Sequence, residues 1–229
     1  MPEDTSRSTT PNQLLSRLTR ADFGLLEPHL EAVDLPLRKP LEPRNRRVEQ
    51  VYFMESGIAS VVANGGRDIE VGLIGREGMT GLSVVMCNDE RAPHDTYMQV
   101  AGKGLRMRSG DLRGAIAASV ALHHVFLRYA FTFMTQATQT AAANGRGKIE
   151  ERLSRWLLMA HDRTDGNEFP LTHELLATML GVRRAGVTVA LQQLERVGLI
   201  THRRGVIAIL DRKALEDRSN GTYFRPNDD

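Results

Sequence analysis

The tripeptide Leu180-Gly181-Val182 constrains this chain more than any other feature, because it breaks two helical patterns that sit on either side of it. The surrounding residues 169–210 read FPLTHELLATMLGVRRAGVTVALQQLERVGLITHRRGVIAIL. Thr172 stands where a helix N-cap belongs, since its hydroxyl can accept an otherwise unpaired backbone N–H. Leu175, Leu176 and Met179 then recur at helical spacing. Gly181 permits the left-handed turn that joins two helices at a steep angle. The second helix is predicted from about residue 184 to 197. Val187, Ala190, Leu191 and Leu194 form its inner face, and Arg184, Ala185, Thr188, Val189 and Gln192 its outer one. Gly198 ends it. Residues 199–201 and 206–210 read as strands, with His202-Arg203-Arg204-Gly205 as a basic turn between them. This is the pattern of a helix-turn-helix with a β-wing, which suits a helix in the major groove and a wing over phosphate. Arginine can pair with guanine, glutamine with adenine, and the methyls of Ala, Val or Thr can touch the thymine methyl. The alternative for the same pattern is an αα-hairpin packed on a small sheet, binding no nucleic acid.

The 229 residues allow one large domain or two modest ones. A net charge of +2 rules out a bulk polycation. The distribution is more telling: residues 145–213 carry 12 Lys+Arg against 8 Asp+Glu, and the remainder 18 against 20. Positive charge therefore gathers around the helix-turn-helix, as phosphate attraction requires. A single cysteine, Cys87, excludes an intrachain disulfide scaffold and a cluster held by four thiolates. The polar N-terminus lacks a signal-peptide core, and no run of about 18 apolar residues exists, so a cytoplasmic protein with no membrane span is expected.

Along the chain, residues 1–13 are Ser/Thr-rich and expected to be disordered. Residues 14–30 suggest short amphipathic helices, with Thr19 or Asp22 as a cap. Pro36, Pro40 and Pro43 interrupt the next stretch. From Val48 the texture becomes that of short strands, with a hairpin turn at Asn64-Gly65-Gly66 and glycines crowding at 72, 75, 78 and 81. Strands at 97–100 and 104–107 complete a β-sandwich or jelly roll. Helical texture resumes at Asp111, and a long proline-free helix is predicted over 120–144. Leu122, Phe126, Tyr129, Phe133 and Ala137 alternate by four and three, the spacing of a coiled-coil seam, so they are taken as the dimerisation face. Val125 and Phe131 lie off that seam and could face the barrel. The alternative is a helix buried against its own β domain. Ala141-Ala142-Ala143-Asn144-Gly145 is expected as a hinge before a further amphipathic helix that carries Ile149, Leu153, Trp156, Leu157 and Ala160. The tail after Asp211 turns polar, and residues 227–229 are expected to be mobile.

The segments YFMESGIASVV, EVGLIGREGMTGL, IEERLSRWLLMAH and LTHELLATMLGVRRAGVTVALQQLERVGLI together resemble the Crp/Fnr family of transcriptional regulators. The resemblance runs from about residue 14 to 215. It implies an α+β fold: an N-terminal cyclic-nucleotide-binding-like β-roll (14–118), a dimerisation helix and hinge (119–145), and a winged helix-turn-helix (146–215). It implies a homodimeric, sequence-specific DNA-binding regulator that meets a pseudo-palindromic duplex and RNA polymerase. Carried across by position, Thr172 and His173 would touch phosphate and Arg184 would read guanine. With them go Arg183, Ala185, Thr188, Val189, Gln192 and Arg203 as DNA-binding residues. The family often has glutamate where Ala185 stands and arginine where Val189 stands, so its half-site cannot be copied. Gly186 inside the recognition helix is explained either by close packing against the first helix or by close approach to DNA. Effector-binding candidates are Glu77, Gly78, Met79, Thr80, Gly81 and Arg91. Glu77 and Arg91 do not keep the family's spacing, so cAMP and cGMP are not supported and no cofactor is predicted. Cys87 reads as a buried small apolar residue or a redox-sensitive thiol. His94, His123 and His124 lack a metal-ligand pattern. Gly145-Arg146-Gly147-Lys148 is too short for a phosphate loop and reads as hinge. No catalytic constellation stands out, so an enzyme is not expected. The rival functions are a small-molecule-binding adaptor acting through protein partners and a metal-dependent jelly-roll enzyme.

Overall fold

A computed structural model describes residues 10–64, 68–87 and 91–223. Residues 1–9, most of the turn expected at Asn64-Gly65-Gly66 and residues 227–229 lie outside that range. The chain divides into two compact units, Met1–Val61 with Ile74–Met134, and Val62–Leu73 with Thr135–Asp229.

The first unit begins with Asn12, which is fully buried rather than disordered. Its amide donates to the carbonyls of Met54 (2.7 Å) and Gly78 (2.9 Å), and its oxygen accepts from the Leu15 N–H (2.9 Å). Satisfying all three groups fixes the chain at Asn12, at the end of the stretch expected to be loose. Helix α1 (Arg20–Leu26) is capped by Thr19, whose side chain accepts from Asp22 N. Strands β1 (Glu31–Leu35), β7 (Gly102–Arg108) and β3 (Gln50–Met54) form one antiparallel sheet in that order. Strands β2 (Pro40–Glu42), β6 (Asp95–Val100), β4 (Ile58–Asn64) and β5 (Asp68–Ile74) form the second. Val51, Tyr52, Phe53 and Met54 are all buried, although successive residues face opposite sides of a strand. Both faces of β3 are therefore covered, as in a closed roll. Short helix α2 is Leu82–Met86, α3 is Ser109–Ala118 and α4 is Val120–Arg146.

The long helix corrects the expected seam. Leu122 and Phe126 are 0% exposed, and Tyr129 is also buried. They pack into the roll's own core with Phe53, Met79, Met107 and Leu112. The Tyr129 hydroxyl donates to the Met79 carbonyl at 3.1 Å. Phe133 lines a cavity in the roll, and Ala137 is half-buried. Leu122, Phe126 and Tyr129 are therefore not an open dimer face. Instead Val120 (71%), Leu127, Phe131 (64%) and Met134 (55%) are exposed, and the last three also line the roll's cavity. They also follow helical spacing, and periodicity cannot distinguish which of two stripes the roll will cover. Ala141-Ala142-Ala143-Asn144-Gly145 is helical rather than a hinge, and the break falls at Gly147-Lys148.

In the second unit, helix α5 (Ile149–His161) is the central helix, with residues 153–160 all buried. The Trp156 indole donates to Glu70 Oε1 at 2.6 Å, and both are buried. Beside them Arg155 donates to the Thr222 carbonyl at 2.9 Å. Burial pulls the Arg155 guanidinium down to about 10, and Glu70 opposes the fall. Strands β8 (Glu168–Pro170), β10 (Val206–Ile209) and β9 (Ile200–Arg203) make a small antiparallel sheet. Helices α6 (His173–Leu180) and α7 (Arg184–Arg196) pack on α5, and α8 (Arg212–Arg218) closes the unit. No helix among the described residues is long and apolar enough to cross a membrane.

Candidate functional site

Thr172 caps α6 by accepting from the Leu175 N–H at 3.2 Å. Gly181 takes the left-handed conformation at φ +61°, and a Cβ there would lie 2.9 Å from the Cδ1 of Ile69. Arg152 of α5 donates to the Leu180 carbonyl and to Asn144 Oδ1 (3.0 Å), tying the turn down. Met179 and Leu180, with Val187, Ala190, Leu191 and Leu194, are buried between the helices. With that side committed, the opposite side of α7 is forced outward. Arg183, Arg184, Ala185, Val189 and Gln192 are all exposed. The exposed Arg183 and Arg184 lie at the N-terminal end of α7, where backbone N–H groups also point outward.

Two residues assigned to DNA contact do something else first. Thr188 donates to the Arg184 carbonyl at 3.1 Å. Its one proton is thereby used, so the 2.8 Å contact with His173 requires His173 Nδ1–H to donate to Thr188 Oγ1. The remaining His173 Nε2 is buried without a hydrogen-bond partner, against the His202 ring 4.6 Å away. Burial, then His202 and Arg184, lower the His173 pKa. His173 thus braces α6 against α7 and the wing. The sequence showed no sign of the His173–His202 pairing, because its partners are 29 positions apart. The wing is tighter than expected: His202 and Arg203 belong to β9, and the turn is Arg204-Gly205, both at positive φ. This two-residue turn suits the twist of a hairpin, and it leaves Arg203 and Arg204 exposed. Gly186 approaches neither the first helix nor open space: a Cβ there would lie 3.0 Å from Ile149 Cδ1 of α5.

The six effector candidates separate. Thr80, Gly81 and Arg91 line a cavity of about 610 Å³ inside the first unit. Glu77, Gly78 and Met79 do not. Glu77 accepts from Gly75 N at 3.1 Å, Gly78 lies against the Tyr129 ring, and Met79 is fully buried core. Cys87 is exposed at the cavity, not buried. Glu42, His94, Thr96, Phe131 and Met134 also line it. Glu42 gave no signal in the sequence, being placed by a bulged pairing of β2 with β6. Among the described residues no group of three or more His, Cys, Asp or Glu could hold a metal ion.

A helix-turn-helix with a buried inner face, an exposed basic outer face and a two-strand wing defines a winged helix-turn-helix, the arrangement that suits a helix in the major groove. Residues 151–218 match the Crp-like helix-turn-helix domain. The fold is similar over 92% of this chain and 99% of the other to a protein of the Crp/Fnr family from Eubacterium rectale (TM-score 0.71, 20% identity). It is similar over 82% and 97% to a CRP-family transcriptional regulator from Thermus thermophilus (0.67, 20%). A third is the c-di-GMP responsive global regulator CLP of Xanthomonas campestris (83% and 99%, 0.66, 15%). No curated protein matches in sequence. Residues 151–218 are thus a Crp-like helix-turn-helix domain, and the chain has the fold of these Crp/Fnr-family structures.

Proposed function

We propose that the chain acts in the cytoplasm as a homodimer that reads a pseudo-palindromic duplex and regulates transcription through RNA polymerase, without enzymatic activity. The exposed outer face of α7 carries this reading, because Val187, Ala190, Leu191 and Leu194 already commit the opposite side of that helix to the core. Arg184 reads a base edge, with Ala185, Val189 and Gln192 along the same face. Arg183, Arg203 and Arg204 hold phosphate, and Thr172 stands at the α6 N-terminus, where backbone N–H groups favour an anion. The second copy covers the Val120, Leu127, Phe131 and Met134 stripe of α4, whose residues 120, 127, 131 and 134 keep the seven- and three-four spacing of paired helices. Two copies related by a twofold axis would present α7 to half-sites about 34–36 Å apart. Domain roles follow: the β-roll (14–118) senses, α4 pairs, and 146–215 binds DNA. Leu127, Phe131 and Met134 line the cavity as well as the stripe, so its contents bear on pairing.

Gel-shift titration over a salt series tests the phosphate assignment. The slope of log K against log salt should fall by about one for each of Arg183→Ala and Arg203→Ala, uniformly across sequences. An unchanged slope in both variants would move these residues out of the interface.

A further inference from the structure

The cavity of the first unit has the size of a small-molecule site, about 610 Å³. Its wall is mainly apolar, built from Val61, Ile74, Leu82, Leu127, Phe131 and Met134. The Gly81 N–H and the Thr96 hydroxyl, which an anion would need there, are already taken by Glu42. Gly81 N–H, at the start of α2, donates to Glu42 Oε1 at 2.6 Å. The Thr96 hydroxyl donates to Glu42 Oε2 at 3.0 Å. The Thr80 hydroxyl accepts from Tyr52 N at 3.1 Å. Arg91, the cation at the rim, donates to the Asn45 carbonyl at 2.8 Å. A carboxylate of the chain itself therefore sits on the Gly81 N–H, and a phosphate entering beside it would meet like charge in a mainly apolar pocket. Beside Glu42 a ligand would meet mainly apolar surface and the spare acceptor lone pairs of that carboxylate. A cyclic nucleotide, which the fold family implies, does not fit that chemistry. Burial raises the pKa of Glu42, and the Thr96 and Gly81 bonds partly oppose it.

We propose that this cavity binds a largely apolar small molecule bearing one hydrogen-bond donor, uncharged or cationic, held by Glu42, and that it excludes anions. The proposal rests on reading the roll as the sensing half, and its test uses no DNA, so failure here leaves the α7 assignment standing.

The probe is Nile red, an uncharged apolar dye, added to the full chain and displaced by 1-octanol, octylamine, octanoate or cAMP. The first three competitors share one alkyl chain and differ only in the head group. Octanol or octylamine should displace the dye at concentrations on the order of tenfold lower than octanoate, and cAMP should not displace it. Displacement by octanol alone assigns an uncharged ligand, and preference for octylamine assigns a cation. Glu42→Gln keeps the shape and should bring octanoate to within about threefold of octanol. Ser83→Phe, placed to fill the cavity, should abolish dye binding, whereas Leu210→Lys, exposed in the second unit, should not. Octanoate or cAMP competing as well as octanol, or dye binding untouched by Ser83→Phe, would overturn the proposal. Circular dichroism checks that each variant is folded. If Glu42→Gln fails to fold, the order of the head groups on the wild-type chain still decides.

Discussion

Phe131→Ala should weaken pairing of two chains while leaving the fold of each intact. Phe131 is 64% exposed in the single chain. Complete burial of a phenylalanine is worth roughly 1.5–3 kcal/mol, so roughly 1–2 kcal/mol remains to be gained when a partner covers it. A twofold interface loses the side chain twice, giving about 2–4 kcal/mol per dimer. At about 1.4 kcal/mol per tenfold, the dissociation constant should rise roughly 30- to 700-fold. Sedimentation equilibrium over a dilution series measures it. Phe126→Ala is the matched control five positions earlier, fully buried with its ring 6.1 Å from that of Phe53. It should cost about 3–5 kcal/mol of folding stability, with little change in association of the folded fraction. A Phe131→Ala dimer that dissociates within about threefold of wild type would refute the outer stripe as the interface.

Glu70→Ala should cost about 3 kcal/mol, because it strands the Trp156 indole and removes the counter-charge of a buried guanidinium; urea unfolding followed by Trp156, the single tryptophan, measures it directly. His173 is held below the ordinary histidine value, about 6.5, so on acidification the unfolded chain takes up a proton before the folded one. Stability is therefore full above that pH and falls as pH drops through the folded value; denaturation curves from pH 8 to 5 should show a smaller fall in His173→Gln, and parallel curves would contradict this. Gly181→Ala should destabilise by about 1 kcal/mol or more, from its positive φ and the contact with Ile69. By contrast, Gly186→Ala meets only the movable end of Ile149, and thermal melts should show it neutral or stabilising by up to about 1 kcal/mol.

The two faces of α7 were legible in the sequence because burial on one side of a short helix leaves a 3.6-residue period. Gly181 was legible because a left-handed turn leaves few other choices of residue. The exposed stripe of α4 was not, since that helix carries two apolar stripes and only the roll's shape decides which one it covers. Asn12 looked like part of a polar leader, because the carbonyls it satisfies belong to Met54 and Gly78, far along the chain. Glu42 and His202 escaped for the same reason: each acquires its role from a strand pairing that no local pattern encodes.

Selection of binding sites from random duplex DNA, run in parallel with wild type and Arg184→Ala, bears most directly on what this protein does. Wild type should enrich a twofold-symmetric motif with half-sites about one helical turn apart. Arg184→Ala should keep that spacing, lose preference at one base pair in each half-site and bind its best site about 1–3 kcal/mol more weakly. No enriched motif from wild type, or an identical motif from both proteins, would contradict an α7 that reads the major groove through Arg184.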